Sequence, residues 1–204
     1  GVKLLDVDMG FDTNRTVVTF AGDPASVINA AFNSIKKACE LIDMRNHKGA
    51  HARMGATDVC PIIPVRGVSM DECVTYSKKL AEKVGELLKV PIFLYEHSAS
   101  AENRRNLANI RSGEYEQMYK KLKLKEWKVD YGPQKLNDKS GVTAIGARDF
   151  LIAYNVNLNT QDKKKASDIA LDIREQGRAK RDRKGKILRD KDGKIIKVAG
   201  KFKH

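Results

Sequence analysis

Residues 47–64 (HKGAHARMGATDVCPIIP) contain most of the side chains in this sequence that can do chemistry. Two histidines, His47 and His51, stand four residues apart in a segment whose glycines let the backbone approach a ligand closely. Imidazole titrates near neutral pH without a perturbing environment, so His51 is a candidate general acid or base. A solvated loop histidine without a role explains the residues alone equally well.

Metal binding and thiol chemistry are less well supported in the same segment. Two histidines at this spacing bind zinc from a helix, but Gly49 lies between them and no third ligand is suitably spaced, so we expect no metal. Cys60 lies in an apolar stretch beside Pro61, which is typical of an inert buried thiol. The three cysteines do not suggest a disulfide framework, and without a secretory signal pattern we expect a reducing, cytoplasmic location.

Two other parts of the sequence are candidates for a ligand site, a pair of aspartates on a predicted strand and a glycine-containing loop. Asp6 and Asp8 alternate along a predicted strand and therefore share one face. With Asn14 and Arg15 they could frame a polar pocket, or they could form a solvent-exposed edge. Residues 132–141 (GPQKLNDKSG) have the composition of a ligand-wrapping loop, and equally that of a plain surface loop.

Strands and helices alternate around these candidates. Helix-start signals occur at Asp23-Pro24 and at Ser69 with Glu72. Periodicity predicts strands at 2–8, 16–21, 59–65, 91–95 and 147–158, helices at 24–44, 70–89 and after a capping Thr160, and short helices within 98–125. This order predicts an α+β fold, a two-layer sandwich with helices on one face of a mixed sheet, and the ferredoxin-like βαββαβ arrangement is the nearest template.

Composition and charge exclude several classes of protein. The 204 residues are 41% hydrophobic and 32% charged, which excludes disordered, collagen-like and coiled-coil chains. No apolar run approaches the ~18 residues of a membrane helix. The net charge is +13, and residues 178–204 carry +9 of it, with an eight-residue near-repeat that predicts a basic hairpin. A nucleic-acid or anion-binding module is therefore an alternative function, although the single aromatic of this tail, Phe202, makes nucleic acid an unfavoured partner.

Longer segments of the sequence resemble one known family. These are LLDVDMGFDTNRTVVTFAG (4–22), the stretch 41–73 that includes GAHARMGATDVCP, EWKVDYGP (126–133), GARDFLIAYNVNLNT (146–160) and ALDIREQGR (170–178). Together they are similar to the formiminotransferase family, in the same order, over nearly all of residues 2–178. The resemblance implies a glutamate formimidoyltransferase of histidine degradation, which transfers a formimino group between N-formimino-L-glutamate and tetrahydrofolate as co-substrate.

The resemblance also implies roles for individual residues. The family's catalytic histidine matches His51, and its supporting aspartate on the first strand pair matches Asp8. Its folate-contacting loop matches ten consecutive residues: Gly132, Pro133, Gln134, Lys135, Leu136, Asn137, Asp138, Lys139, Ser140 and Gly141. Folate and glutamate carry carboxylates, which guanidinium groups bind bidentately, so the candidate carboxylate ligands are Arg15, Arg53, Arg66 and Arg148.

The family fold implied by the resemblance is two ferredoxin-like subdomains with folate in the groove between them, assembled as a homodimer without membrane contact. One departure is Ala52, where the family usually has proline after the catalytic histidine. The family also opens with an earlier strand. We therefore expect residues 1–177 to form the first subdomain without that strand, and residues 178–204 to form a basic linker or hairpin leading to a second subdomain. A folate-binding fragment without catalysis remains an alternative.

Overall fold

A computed structural model describes residues 1–152, 156–175 and 177–201. The chain divides into two compact units, Gly1–Leu151 and Ile152–His204. Strands pair in both parallel and antiparallel fashion, and helices pack against them, so the predicted α+β class is confirmed. No helix in the described parts of the chain is long and apolar enough to cross a membrane.

The first unit begins with an antiparallel hairpin and a long helix. Strands β1 (Val2–Gly10) and β2 (Arg15–Gly22) pair along their length, and helix α1 (Pro24–Leu41) follows. The Asp23 side chain accepts a hydrogen bond from the Ser26 backbone N–H at 3.0 Å, which caps the helix as the sequence predicts.

A three-stranded parallel sheet occupies the centre of this unit. Its strands are β3 (Val59–Ile62), β4 (Ile92–Leu94) and β5 (Thr143–Ala147), in the spatial order β3-β5-β4. Helix α2 (Met70–Leu88) connects β3 to β4 and begins with the predicted capping box. Because the strands are parallel, their amino ends lie along one edge of the sheet, here named the amino edge, and the segments that enter β3 and β5 meet there.

Two hydrophobic clusters hold this unit together. The first joins α1 and α2 to the sheet, with Ile35, Leu80, Val84, Ile92 and Ile145 at its centre. The second packs two short helices, α3 (Leu107–Arg111) and α4 (Glu114–Lys121), against the sheet around Met54, Phe93, Tyr95, Ile110 and Met118. Met54 follows His51 by three residues and is fully buried, so the second cluster anchors the histidine segment.

The predicted strand at 147–158 is wrong in position. The strand β5 ends at Ala147, residues 148–152 and 156–158 have no strand, and residues 153–155 lie outside the described residues. Gly146, inside β5, has a packing role. A Cβ on Gly146 would lie 2.3 Å from the Tyr95 carbonyl oxygen, so glycine is required there by close packing rather than by a turn.

The second unit contains helix α5 (Lys163–Ile173) and a basic hairpin. The helix begins two residues later than predicted, because Asp162 rather than Thr160 caps it, accepting from the Lys164 N–H at 2.9 Å. Strands β6 (Arg178–Ala179) and β7 (Lys197–Val198) pair antiparallel, which confirms a hairpin in the basic tail.

The near-repeat of the tail folds into two similar turns. In one turn, the Asp182 carboxylate accepts from the Lys186 N–H at 2.9 Å. In the other, the Asp190 carboxylate accepts from the Lys194 N–H, also at 2.9 Å. The repeated Asp and Lys positions are thus used to close turns.

Candidate active site

The histidine segment, residues 46–57, lies at the amino edge and is fixed first by the tip of the β1–β2 hairpin. The Ala50 N–H donates to the Asp12 carbonyl at 2.9 Å, and the Asn14 side-chain amide donates to the Lys48 carbonyl at 2.6 Å. The His47 ring lies 2.9 Å from the Asn14 carbonyl, which can only accept, so Nε2 of His47 carries a proton. His47 is thereby engaged as a structural donor, and His51 is the histidine of this pair that stays available for proton transfer.

The segment is fixed next by the loop at 132–141. The Ala56 N–H donates to the Ser140 carbonyl at 2.8 Å, and the Val142 N–H donates to the Met54 carbonyl at 2.9 Å. The structure thus brings together two segments that the sequence singled out separately, the one containing His51 and the predicted folate loop.

Two glycines make this contact possible. Gly55 and Gly141 face each other as an antiparallel bridge. A Cβ on Gly55 would lie 2.1 Å from the Val142 carbonyl oxygen, and a Cβ on Gly141 would lie 2.2 Å from the Met54 carbonyl oxygen. Gly141 also has a φ of +70°, in the left-handed region that favours glycine. Any larger residue at either position would push the two segments apart.

Arg53 fixes the segment on a third side. Its side chain is 10% exposed, and its guanidinium donates to the carboxylates of Glu114 at 2.9 Å and Glu116 at 2.6 Å, and to the His47 carbonyl at 3.1 Å. Hydrogen bonding to Arg53 lowers the pKa of Glu116 to about 2. The charge of Arg53 is therefore paired with carboxylates of the protein. This geometry favours a structural role over the predicted role in substrate binding.

The other three predicted arginines divide between the two edges of the sheet. Arg66 follows β3 and is exposed, and Arg148 follows β5 and donates to the Asp149 carbonyl at 2.9 Å. Both lie at the edge opposite the one at which residues 46–57 enter, about 13 Å away along a four-residue strand. Arg15 opens β2 beside the hairpin tip, close enough to His51 for its charge to act there. Of the four, Arg15 is the one whose charge lowers the pKa of His51.

The electrostatic surroundings of His51 favour the neutral imidazole. Partial burial lowers its pKa, and the positive charges of Arg15 and Arg111 lower it further. The Asp58 carboxylate and a backbone hydrogen bond at Ala52 act in the opposite direction. A neutral imidazole is the form that accepts a proton, so this environment suits a general base.

Arg111 and Asp58 were not predicted as site residues. Arg111 ends α3, its Nε donates to the Asp58 carboxylate at 2.7 Å, and its Nη2 lies 2.5 Å from the same oxygen as an ion pair. Asp58 stands within the singled-out segment, but nothing in the spacing of either residue indicates that they form an ion pair. Their roles follow only from the fold, because 53 residues separate them.

Asp8 lies on β1 opposite Val17 and is exposed. The carboxylate whose charge raises the pKa of His51 is that of Asp58. The predicted supporting role of Asp8 stays a prediction.

Two polar side chains of the predicted folate loop, Gln134 and Asn137, hold the loop itself. The Gln134 amide donates to the Leu122 carbonyl at 2.7 Å and accepts from the Val129 N–H at 2.8 Å. The Asn137 side chain accepts from the Ser140 N–H at 2.9 Å. Gly132, Lys135 and Asp138 are exposed, so the loop presents a cation, a carboxylate and main-chain groups to a ligand.

Metal binding and thiol chemistry are the other kinds of chemistry raised by the residues of this segment. Among residues 1–152, 156–175 and 177–201, no group of three or more His, Cys, Asp or Glu side chains is placed to hold a metal ion. Burial raises the pKa of Cys60 to about 12, so its thiol stays protonated and unreactive.

Two family profiles match this chain. Residues 1–148 match the profile described as formiminotransferase domain, N-terminal subdomain, and residues 153–202 match that of the formiminotransferase domain. The chain belongs to the formiminotransferase family. Within that family it is 52% identical over 187 residues to formimidoyltransferase-cyclodeaminase of Rattus norvegicus, which covers 92% of this chain and 34% of the relative.

Shorter relatives carry a single activity in their names. Glutamate formimidoyltransferase of Streptococcus pyogenes serotype M1 is 48% identical over 177 residues, 87% of this chain and 59% of the relative. That of Thermoplasma acidophilum is 46% identical over 175 residues, 85% of this chain and 57% of the relative. The chain thus spans about a third of the fused relatives and less than three fifths of the single-activity ones.

Proposed function

We propose that this chain is part of a glutamate formimidoyltransferase, which moves a formimino group between N-formimino-L-glutamate and tetrahydrofolate. One observation carries the proposal: the segment with the predicted acid–base residue, His51, is hydrogen-bonded to the predicted folate loop through Ala56 and Ser140. The names of the single-activity relatives support it.

The proton movements of this transfer match a single imidazole. The reaction breaks one carbon–nitrogen bond and forms another, so the attacking nitrogen loses a proton and the leaving nitrogen gains one. We assign both movements to His51, which accepts the first proton on a ring nitrogen and returns it to the leaving nitrogen. The lowered pKa of His51 favours the neutral form that begins this sequence. Such acid–base help contributes typically ~10²–10⁴-fold to a rate.

The residues at the amino edge fit folate as a co-substrate. Tetrahydrofolate supplies the nitrogen that exchanges the formimino group, and it carries carboxylates as well as donors and acceptors on its pterin ring. In the proposed site, the exposed Lys135 and the main chain at the exposed Gly132 face it, and Arg15 receives a carboxylate. Gln134 and Asn137 keep the loop in shape, and the proposal includes no metal ion.

The finer architecture is part of the same proposal. We propose a ferredoxin-like βαββαβ subdomain over residues 1–177, with residues 178–204 leading to a second subdomain. We also propose a homodimer that works in histidine degradation in the cytoplasm. The match of residues 1–148 to the N-terminal subdomain of the family supports the proposal of a first subdomain. Sedimentation of the full-length protein tests the dimer.

The decisive experiment replaces His51 in the full-length protein. His51→Gln should lower the turnover number by about 10²–10⁴-fold and leave folding intact. His97→Gln is the matched control, because His97 is also a partly exposed histidine, bonded to Asp149 at 3.0 Å at the opposite edge of the sheet. Its turnover should not change. Near wild-type turnover of the His51 variant would remove His51 from the mechanism.

Binding measurements separate the alternatives. A folate-binding protein without catalysis would bind tetrahydrofolate but transfer no formimino group. A nucleic-acid module would bind random duplex DNA through the basic tail, with an affinity that falls steeply as salt rises. The comparisons favour the transferase over both.

A further inference from the structure

The ion pair between Asp58 and Arg111 lies beside His51 and connects three parts of the first unit. One Asp58 oxygen accepts the Arg111 guanidinium, and the other accepts the Met54 N–H at 2.8 Å. The Asp58 carbonyl accepts from the Ala144 N–H at 3.1 Å, which ties the same residue to strand β5. Asp58 therefore joins α3, the central sheet and the histidine segment through three different atoms.

This ion pair is sheltered from water. The side chains of Asp58 and Arg111 are 14% and 21% exposed, whereas most ion pairs of the first unit are far more exposed. Sheltered pairs keep a fixed geometry and are screened less by salt. The pair therefore holds a cation and an anion at constant positions near His51.

We propose that Asp58 and Arg111 are positioning residues for His51, which fix its segment against α3 and jointly set the charge around the imidazole. The proposal rests on the proposed role of His51 as acid and base. Neither residue is given a bond to the reacting atoms. Their part is to hold the histidine in place and to oppose each other electrostatically.

Several other charged groups surround the histidine segment. The hairpin tip brings Asp12 and Arg15, the segment itself brings His47, Lys48 and Arg53, and α4 brings Glu114 and Glu116. Arg53 is balanced by Glu114 and Glu116. Arg15 remains as the second cation that acts on His51, and it is unchanged in every variant of the experiment.

An NMR pH titration of the His51 ring tests the proposal on this chain without any assay of transfer. The His51 resonance is the one of the four histidine signals that is missing from the spectrum of His51→Gln. Arg111→Gln removes a positive charge and should move the titration midpoint up by about half a pH unit. Asp58→Asn removes a negative charge and should move it down by a similar amount. Arg66→Gln, at the opposite edge, is the control and should not move it.

The double variant Asp58→Asn with Arg111→Gln makes the experiment decisive. It removes both charges, so the midpoint should return close to that of the unmodified chain. A purely structural role would loosen the segment in every variant and shift all midpoints in the same direction, toward the value of a solvated histidine. That result, or no shift at all, would overturn the proposal. If a single variant fails to fold, Arg111→Lys keeps the charge and should leave the midpoint within about 0.2 units.

The outcome is separable from that of the proposed function. If the chain is inactive but the His51 midpoint shifts in opposite directions in Arg111→Gln and Asp58→Asn, the role of the ion pair is supported. The transfer reaction is then tested separately by its own assay. In the full-length enzyme, the pH dependence of kcat/KM should shift in the same directions as the NMR midpoints. Unchanged pH profiles together with shifted midpoints would show that His51 is not the titrating catalytic group.

Discussion

The contact between Gly55 and Gly141 gives the sharpest test of how the candidate site is built. Gly141→Ala should separate the histidine segment from the predicted folate loop, because the new Cβ would lie 2.2 Å from the Met54 carbonyl oxygen. Gly67→Ala is a matched control. Gly67 has a φ of +68°, almost the same as the +70° of Gly141, but a Cβ there would meet nothing within 4 Å.

The two variants share one energetic cost and differ in another. Alanine in the left-handed region costs about 1 kcal/mol at either position. At Gly141 the clash must also move backbone, which weakens the hydrogen bonds from Ala56 to Ser140 and from Val142 to Met54, each worth about 1 kcal/mol. We expect a loss of about 3 kcal/mol for Gly141→Ala and about 1 kcal/mol for Gly67→Ala.

Urea unfolding followed by tryptophan fluorescence measures this difference. Trp127 is the single tryptophan and packs edge-on against Phe93 at 5.7 Å, so it reports on the first unit. With a slope of about 2 kcal/mol per molar urea, the two midpoints should differ by about 1 M. Equal losses of stability in the two variants would refute the reasoning, since the only cost detected would then be that of the backbone conformation.

Two other predictions concern charge. The pKa of Glu116 is lowered from 4.5 to about 2 by Arg53, so the stability gained from this pair is present above about pH 4.5 and is lost as pH falls toward 2. In acid unfolding, Glu116→Gln should therefore flatten the dependence of stability on pH in that window; an unchanged slope would contradict the assignment. Arg15→Gln should raise KM for formiminoglutamate about tenfold in the full-length enzyme, while Arg66→Gln should not. Equal effects would show that substrate binding does not depend on the edge of the sheet at which an arginine lies.

Local signals in the sequence predicted the elements whose boundaries depend on neighbouring residues. The start of α1 at Asp23-Pro24 and the capping box of α2 are examples, and both are confirmed. Strand β5 was misplaced because Gly146, which usually weakens a strand, is required there by the close approach of Tyr95. That requirement comes from packing against Tyr95, the residue that follows β4 some fifty positions earlier in the chain, so the residues next to Gly146 do not indicate it.

The candidate site was likewise predicted from the sequence only in part. The histidine segment and the loop at 132–141 were each identified from sequence, but their contact was not, because it depends on parallel pairing of strands far apart in the chain. Arg53 has the chemistry of a carboxylate ligand, and its partners Glu114 and Glu116 are more than sixty residues away. The sequence therefore identified residue types suited to the chemistry. The fold determined which of these side chains are already paired with an opposite charge of the protein.

The position of the site at the amino edge explains why free guanidinium groups are needed there. A helix C-terminus carries partial negative charge. Helix α2 ends at Leu88, shortly before β4, and α1 ends beside the loop at 132–141, where Lys139 donates to the Glu40 carbonyl at 2.8 Å. Neither helix has a basic residue in its last turn. The backbone at this edge thus offers anionic substrates little attraction, and the charge must come from side chains.

Arg15 supplies that charge, and together with Arg111 it lowers the pKa of His51. A substrate carboxylate that approaches Arg15 would offset its positive charge at the imidazole. We therefore expect His51 to become more basic when the substrates are bound, and so to accept a proton more readily at the moment when the attacking nitrogen must release one. An arrangement of this kind couples binding to acid–base chemistry without any movement of the backbone.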